Sequence, residues 1–478
     1  MRSVFGVLLA TGALAVVPGD VYLYDAPDGR TGPVSQAASG PRAGLADLGA
    51  ADPVTRAHAA CEAGLTGTPG GLGAIPALIT LLADEAHVDA IDCGGEGEWR
   101  NRGIFALADT TVPCGTSPAL EAARALGRFG GAALAPLMSA LGDPRAPVRM
   151  HAARAVAWMD DPVAAGGAVQ RLVAMLADPD AEVRRVIAGA MGVLKDEDAV
   201  EPLVRTLMDQ DVRVRAGAAA ALGSLEAATI GPRLAGALKD TAWEVRQEAA
   251  RALGTREQKS AVPDLSAALR DSDGRVRQMA AWALGQLEAP EAVPPLSAAL
   301  RDEEQQVRIR AAWALGQIEN ADAVPALAAA LKDGSAKVRE TSAWALGQIE
   351  QGTALDALAS ALADQDWRVR KTAAWALGQI EQPRAVPALV KATADEHARV
   401  RETTAWALGQ LEDAQAIPGL TRLLADPSWE VRSKAAWALG QIGDGSATGA
   451  LSGALKDARA DVRKSAAWAL GQIGNGRE

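Results

Sequence analysis

The dipeptide Val-Arg returns every 31 residues from Val183-Arg184 to Val462-Arg463, ten copies in a row, and an earlier copy, Val148-Arg149, lies 35 residues before the first. A fixed period of that length marks an array of structural units, each packed only on its neighbours. It also removes the usual limit on size. A chain of 478 residues is too long for one ordinary compact core, but an array lengthens its core one unit at a time. Apolar residues make up 49% of the chain and aromatics only 4%, so that core must be mostly Ala, Leu and Val.

Each unit holds two amphipathic segments. In the second, Val276, Ala280, Leu284 and Leu287 fall at i, i+4, i+8 and i+11, one stripe of an α-helix. Val462, Ala466, Leu470 and Ile473 fill the same slots near the other end of the array. The first segment, such as Val324 to Leu331, carries Pro325 in its first turn, where the missing N–H costs nothing and the fixed φ favours helix. The unit is therefore helix, turn, helix, turn, and the fold class is all-α. Neither helix can bury its stripe alone, so the units must stack. The Gly-rich stretch 164–168 reads as a longer loop that absorbs the four extra residues after Val148.

An Asp stands six residues before every repeat Arg. Seven such pairs are Asp271 and Arg277, Asp302 and Arg308, Asp333 and Arg339, Asp364 and Arg370, Asp395 and Arg401, Asp426 and Arg432, and Asp457 and Arg463. Asp near a helix start can cap free N–H groups, and Arg can reach a carboxylate in an adjacent unit. With these columns, residues of about 143–478, eleven regular units, resemble the HEAT family, in particular its short bacterial, phycobilin-lyase-like repeats. That resemblance implies a right-handed α-solenoid of 31-residue helical hairpins, a HEAT-like superhelix. It also implies that the Asp–Arg pairs form a structural ladder and that the second helices line a concave side.

Residues 51–142 read as degenerate copies of the unit, interrupted by an irregular insertion at about 87–115 that holds Cys93, Trp99 and Cys114. A divergent first unit is what an N-terminal cap requires, since its outer face meets water. Residues 16–50, rich in Gly, Ala, Pro and Asp, read as a flexible leader. Before them, residues 2–15 have the order of a signal peptide: Arg2, an apolar run, then Ala13-Leu14-Ala15. The expectation is export to a periplasmic or extracellular compartment, with a disulfide between Cys93 and Cys114; without a signal the chain stays cytoplasmic. No other run is long and apolar enough to span a bilayer. The last unit carries a full second helix and no cap, so its end face is either tolerated or stacks on another copy.

No motif carries a reaction. The four histidines are scattered, no Cys-x-x-Cys or His-Glu-x-x-His occurs, and neither a phosphate loop nor a nucleophile elbow is present. Carboxylates are many, but they recur in register, whereas a catalytic pair should be unique. Catalytic, cofactor and metal residues are accordingly none, and no cofactor is expected. A phycobilin-lyase-like accessory enzyme stays as an alternative. A net charge of −11 disfavours a nucleic-acid partner, which calls for a basic face.

One column goes beyond the needs of the fold. Trp282, Trp313, Trp344, Trp375, Trp406, Trp437 and Trp468 each lie six residues after a repeat Val. Gln286, Gln317, Gln348, Gln379, Gln410, Gln441 and Gln472 follow four residues later. At 100° per residue the Trp slot lies about 240° round from the core Val, among polar neighbours. Trp243, Trp367 and Trp429, near the start of their helices, extend the ridge. Two readings stand side by side. The indoles pack against the neighbouring unit and stiffen the array, or they line a groove for a protein or an extended polymer, a peptide or a glycan. The second makes the chain a non-catalytic binding scaffold, and stacking of uncapped ends would make it a self-associating structural element.

Overall fold

The computed structural model describes residues 45–66, 72–89 and 115–474, all within the unit Ala43–Glu478. The repeat is a helical hairpin. A short 3-10 turn such as Pro290–Ala292 runs into a seven-residue first helix, Val293–Ala299, and a longer second helix, Gln305–Ile318, returns. Pro occupies the first turn of most first helices, as at Val324–Ala330. Val293, Leu296 and Ala299 of one helix and Val307, Ala311, Leu315 and Ile318 of the other are buried, and one apolar cluster runs from Leu48 to Ala469. Along the array, second helices pack closely on second helices, while consecutive first helices barely touch. This α-solenoid is held together mainly through its second helices.

The Asp–Arg columns tie each unit to the next. Arg339 donates from Nε and Nη2 to the two carboxylate oxygens of Asp364, 25 residues on, at 2.6 and 2.8 Å. Its Nη1 donates to the main-chain oxygen of Asp333 in its own unit. Asp364 in turn accepts from the N–H of Asp366, which holds the loop before the next second helix. The same bidentate pair recurs at Arg277 and Asp302, Arg308 and Asp333, Arg370 and Asp395, Arg401 and Asp426, and Arg432 and Asp457. Arg246 likewise takes Asp271, whereas Arg463 reaches only main-chain oxygens, those of Asp457 and Ala458. Each of these Arg residues except Arg463 is thus paired with the Asp of the following unit. Fork-to-carboxylate geometry fixes spacing as well as energy.

Toward the N-terminus the unit degrades but keeps its logic. Helix Ile75–Leu81 packs on Pro118–Arg128 as a first helix does on its second, and Pro53–Thr66 packs on the same helix, with Arg56 bonded to Asp84 at 2.6 Å in place of the ladder pair. Two short strands, Val88–Asp89 and Gly115–Thr116, pair antiparallel. Both flanks are fastened by ionisable side chains: Thr116 Oγ1 donates to buried Glu121, and Glu85 lies 3.8 Å from the buried imidazole of His151. Burial pushes the His151 pKa down, against Glu85, which pulls it up.

Two sequence expectations change here. The stretch 164–168 is not a loop: Asp161 accepts from the N–H groups of Val163 and Ala164, Pro162 takes the first position, and a short helix, Pro162–Gly166, results. The end of the leader forms a 3-10 helix, Leu45–Gly49, with Leu48 buried, while residues 1–44 lie outside the described ones. The expected Cys93–Cys114 bridge falls on residues outside the described ones; among the described residues, Cys61 is disulfide-bonded.

Second helices in the middle of the array end on a residue with positive φ. Glu257, Glu288, Glu319, Glu350, Glu381 and Glu412 occupy that place with φ between 47° and 53°, and Gly443 replaces them one unit on. An L residue pays steric strain in this left-handed region, where Gly is the usual helix terminator.

Candidate functional site

The tryptophan column is built from two slots in neighbouring units. Each second helix from Val245 to Val431 carries Gly nine residues after its Val, in its last turn and still within the helix, where Gly costs up to about 0.5–1 kcal/mol relative to Ala. The indole of the following unit explains it. A Cβ placed on Gly316 would lie 2.6 Å from Cζ3 of Trp344 and 3.0 Å from Cα of Ala345. The same holds at Gly254 with Trp282, Gly285 with Trp313, Gly347 with Trp375, Gly378 with Trp406, Gly409 with Trp437 and Gly440 with Trp468. Each indole edge therefore enters a notch that only Gly leaves open.

The burial of the column follows. Trp282, Trp344, Trp375, Trp406 and Trp437 are half-buried against the core, Trp313 is buried at 6% exposure, and Trp468, in the last described unit, is 39% exposed. Gln317, Gln348, Gln379, Gln410, Gln441 and Gln472 are half-buried beside them, and Gln286 is exposed. The helical wheel places these indoles among polar residues; it does not show the lateral approach of the next helix. The Gly column was the missed signal, since a glycine fixed at one helical slot in unit after unit needs a packing reason.

Trp243, Trp367 and Trp429 sit at the first position of their helices and are covered by the next unit. Arg275 lies over the Trp243 ring at 3.2 Å from guanidinium carbon to centroid, Arg459 over Trp429 at 4.6 Å, and the His397 ring stacks on Trp367 at 4.0 Å and 4°. Arg368 and Lys371 also approach the Trp367 ring, at 4.9 and 5.8 Å. Such stacking is worth about 0.5–1 kcal/mol at exposed sites and holds the cations in place.

On the other side, the spread first helices leave shallow grooves. One of them, about 370 Å³, is bordered by Ser297, Arg301, Ala326, Ala329 and Lys332 beside the ladder. Among the described residues no cluster of His, Cys, Asp and Glu could hold a metal ion, and no helix is long and apolar enough to cross a membrane.

A family model described as HEAT repeats matches residues 117–166, 169–241, 230–305, 293–366, 355–428 and 417–478. The chain belongs to the HEAT-repeat family. Its fold is shared with solved structures of the same class. The array aligns with a chain of a complex of Kap95p and RanGDP at a TM-score of 0.52 and 16% identity, over 88% of this chain and 60% of that one. It also matches an engineered protein at 0.44 and 25%, over 64% and 99%. A third match is the complex of CpcE and CpcF of phycocyanin lyase from Nostoc sp. PCC7120, at 0.31 and 25%, over 51% and 93%. Among curated proteins no sequence matches the chain. At 16% identity the Kap95p likeness speaks for the fold alone.

Proposed function

We propose that this HEAT array is a non-catalytic scaffold that binds another protein, or an extended polymer such as a peptide or glycan, on the face of its second helices. The observation that carries the reading is the regular run of that face: exposed Arg275, Lys337, Arg368 and Arg399 mark it in four of the five units from Val276 to Val400, with half-buried indoles between them. Repeat arrays use such extended surfaces for partners, and function has to be argued from the site rather than from the fold. The indole column serves the surface by holding neighbouring second helices at fixed spacing.

The test is a variant with Trp313, Trp344, Trp375 and Trp406 all replaced by Ala, beside Leu346→Ala as a core control. Loss of partner capture at a temperature where the variant is still folded by circular dichroism supports a direct role of the face. Capture that survives in the folded variant refutes it. Export is part of the same proposal and is supported by the order of residues 2–15 and by the disulfide at Cys61. Non-reducing mass spectrometry of the secreted fraction should find Cys61 linked to Cys93 or Cys114; a free Cys61 there removes this support.

A second reading, self-association through the last described unit, has one specific observation in its favour. Trp468 and Leu455 are exposed, and a Cβ on Gly471 would meet nothing within 4 Å, so that notch holds no indole. Light scattering that stays monomeric as concentration rises would dispose of it.

A further inference from the structure

The Trp, Gly, Arg and Leu columns are the same in unit after unit, and each has an internal partner: notch, indole, ladder or core. They cannot tell one partner from another. On the second helices the units differ at three slots in the first half of the helix, one before and two and three after the repeat Val. Across the five units from Val276 to Val400 these slots hold six cations, Arg275, Arg310, Lys337, Arg368, Lys371 and Arg399, against two carboxylates, Glu340 and Glu402. The surplus of four stands out in a chain of net charge −11.

Local geometry preserves that sign. The strip lies over the N-terminal turns of helices of 13 or 14 residues, whose dipoles add positive potential. The cap carboxylates Asp273 and Asp366 accept from backbone N–H groups at those helix starts, although Asp273 also takes Arg275 at 2.7 Å and Asp366 lies 3.8 Å from Arg368. Arg368 and Lys371 are held over Trp367, with His397 stacked on the same ring, and the Arg368 and Arg399 side chains are 57% and 64% exposed. Cations already ordered on aromatic rings lose less entropy when they bind.

We propose that the strip from Arg275 to Arg399 is the specificity-determining part of the scaffold and that it takes an extended acidic polypeptide segment, with the Trp367 cluster at its centre. This rests on the scaffold reading and narrows it from any partner to an anionic one. An acidic peptide fits better than a nucleic acid because Glu340 and Glu402 break the strip into separate cationic points rather than a continuous track for phosphates. Those carboxylates pair with Lys337 and Arg399 at 3.0 and 3.4 Å.

The test uses the full chain with fluorescent poly-Glu as probe and poly-Lys and oligo-dT as comparisons. Poly-Glu should bind, and binding should weaken as salt rises past about 0.1 M. The double variant Arg368→Glu/Lys371→Glu should lose about tenfold or more in affinity. Arg301→Glu/Lys332→Glu makes the same charge change beside the outer groove and should lose less than about twofold. Circular dichroism checks that both fold. Equal losses in the two variants, preference for poly-Lys, or no binding of poly-Glu would overturn the proposal. Tighter binding of oligo-dT that the strip variant abolishes would overturn it in favour of a nucleic acid. Failure of the scaffold reading itself is a separate result, read from the four-tryptophan variant above.

Discussion

Gly316→Ala is a substitution for which helix propensity and tertiary packing give opposite signs. In an isolated helix the change should stabilise by about 0.5–1 kcal/mol, because Ala loses less backbone entropy on folding. In the array the new Cβ would meet Trp344 Cζ3 at 2.6 Å and both Cα and Cβ of Ala345 at 3.0 Å. Carbon atoms prefer separations of about 3.5–4.0 Å, and one of these contacts is backbone, which cannot rotate away. Overpacking typically costs about 1–3 kcal/mol, and the upper end applies where the helices themselves must separate. After the propensity gain, the expected net loss is about 1–2 kcal/mol. Trp344→Ala alone should cost about 2 kcal/mol, below the range for a fully buried indole, because Trp344 is half-buried. The double variant should cost about 1 kcal/mol less than the sum, since removing the indole relieves the closest contact. Arrays of this length need not unfold in two states, so the readout is hydrogen exchange in helices Gln305–Ile318 and Ala336–Ile349, supported by urea melts. A Gly316→Ala protein as stable as the parent, or more so, would refute the notch, and with it the explanation of the glycine column.

Three further outcomes are expected. Ser342 is fully buried with no hydrogen-bond partner for its hydroxyl, in a slot that holds Ala280, Ala311 and Ala373 in other units, so Ser342→Ala should stabilise by about 1 kcal/mol in urea melts, and a loss would contradict this. Glu319→Gly relieves a left-handed φ of 52° and should raise stability by about 1 kcal/mol, whereas Glu319→Ala, which keeps the strain, should not. Burial pushes the Asp364 carboxyl up, but hydrogen bonds from Arg339 and the Asp366 N–H outweigh it and hold the group below the usual carboxylate range. Its contribution is therefore present above the unfolded carboxyl pKa of about 4 and lost as pH falls through the lower folded value. Hydrogen exchange at the Arg339–Asp364 junction should accelerate over that acid range, and Asp364→Asn should flatten the response there; an unchanged profile would exclude the ladder as its source.

Much of this molecule could be read from its amino acids because a repeat states each rule many times. The Val, Ala and Leu stripe, the Pro in the first turn and the Asp–Arg spacing are all local patterns, and local pattern decides that a segment is a helix and which side of it is apolar. The family followed from the same columns. The partner of each Arg required geometry: the ladder joins Arg339 to the carboxylate of Asp364 in the next unit, while Asp333 of its own unit offers it a main-chain oxygen.

What the sequence could not determine was the relation between units. Whether Trp344 faces a groove or a neighbour depends on how closely two second helices approach, and that distance is set by the absence of a side chain at Gly316 in the unit before. The pairing of Cys61 was hidden for a similar reason: its slot is the one that carries Trp further along the array, and no spacing along the chain says which loop comes back to it. The left-handed glutamates were invisible as well, because Glu has no preference for that conformation and adopts it where packing on both sides leaves the chain no other way out of the helix. Sequence determined the units; only their stacking decided which of their residues are left to meet a partner.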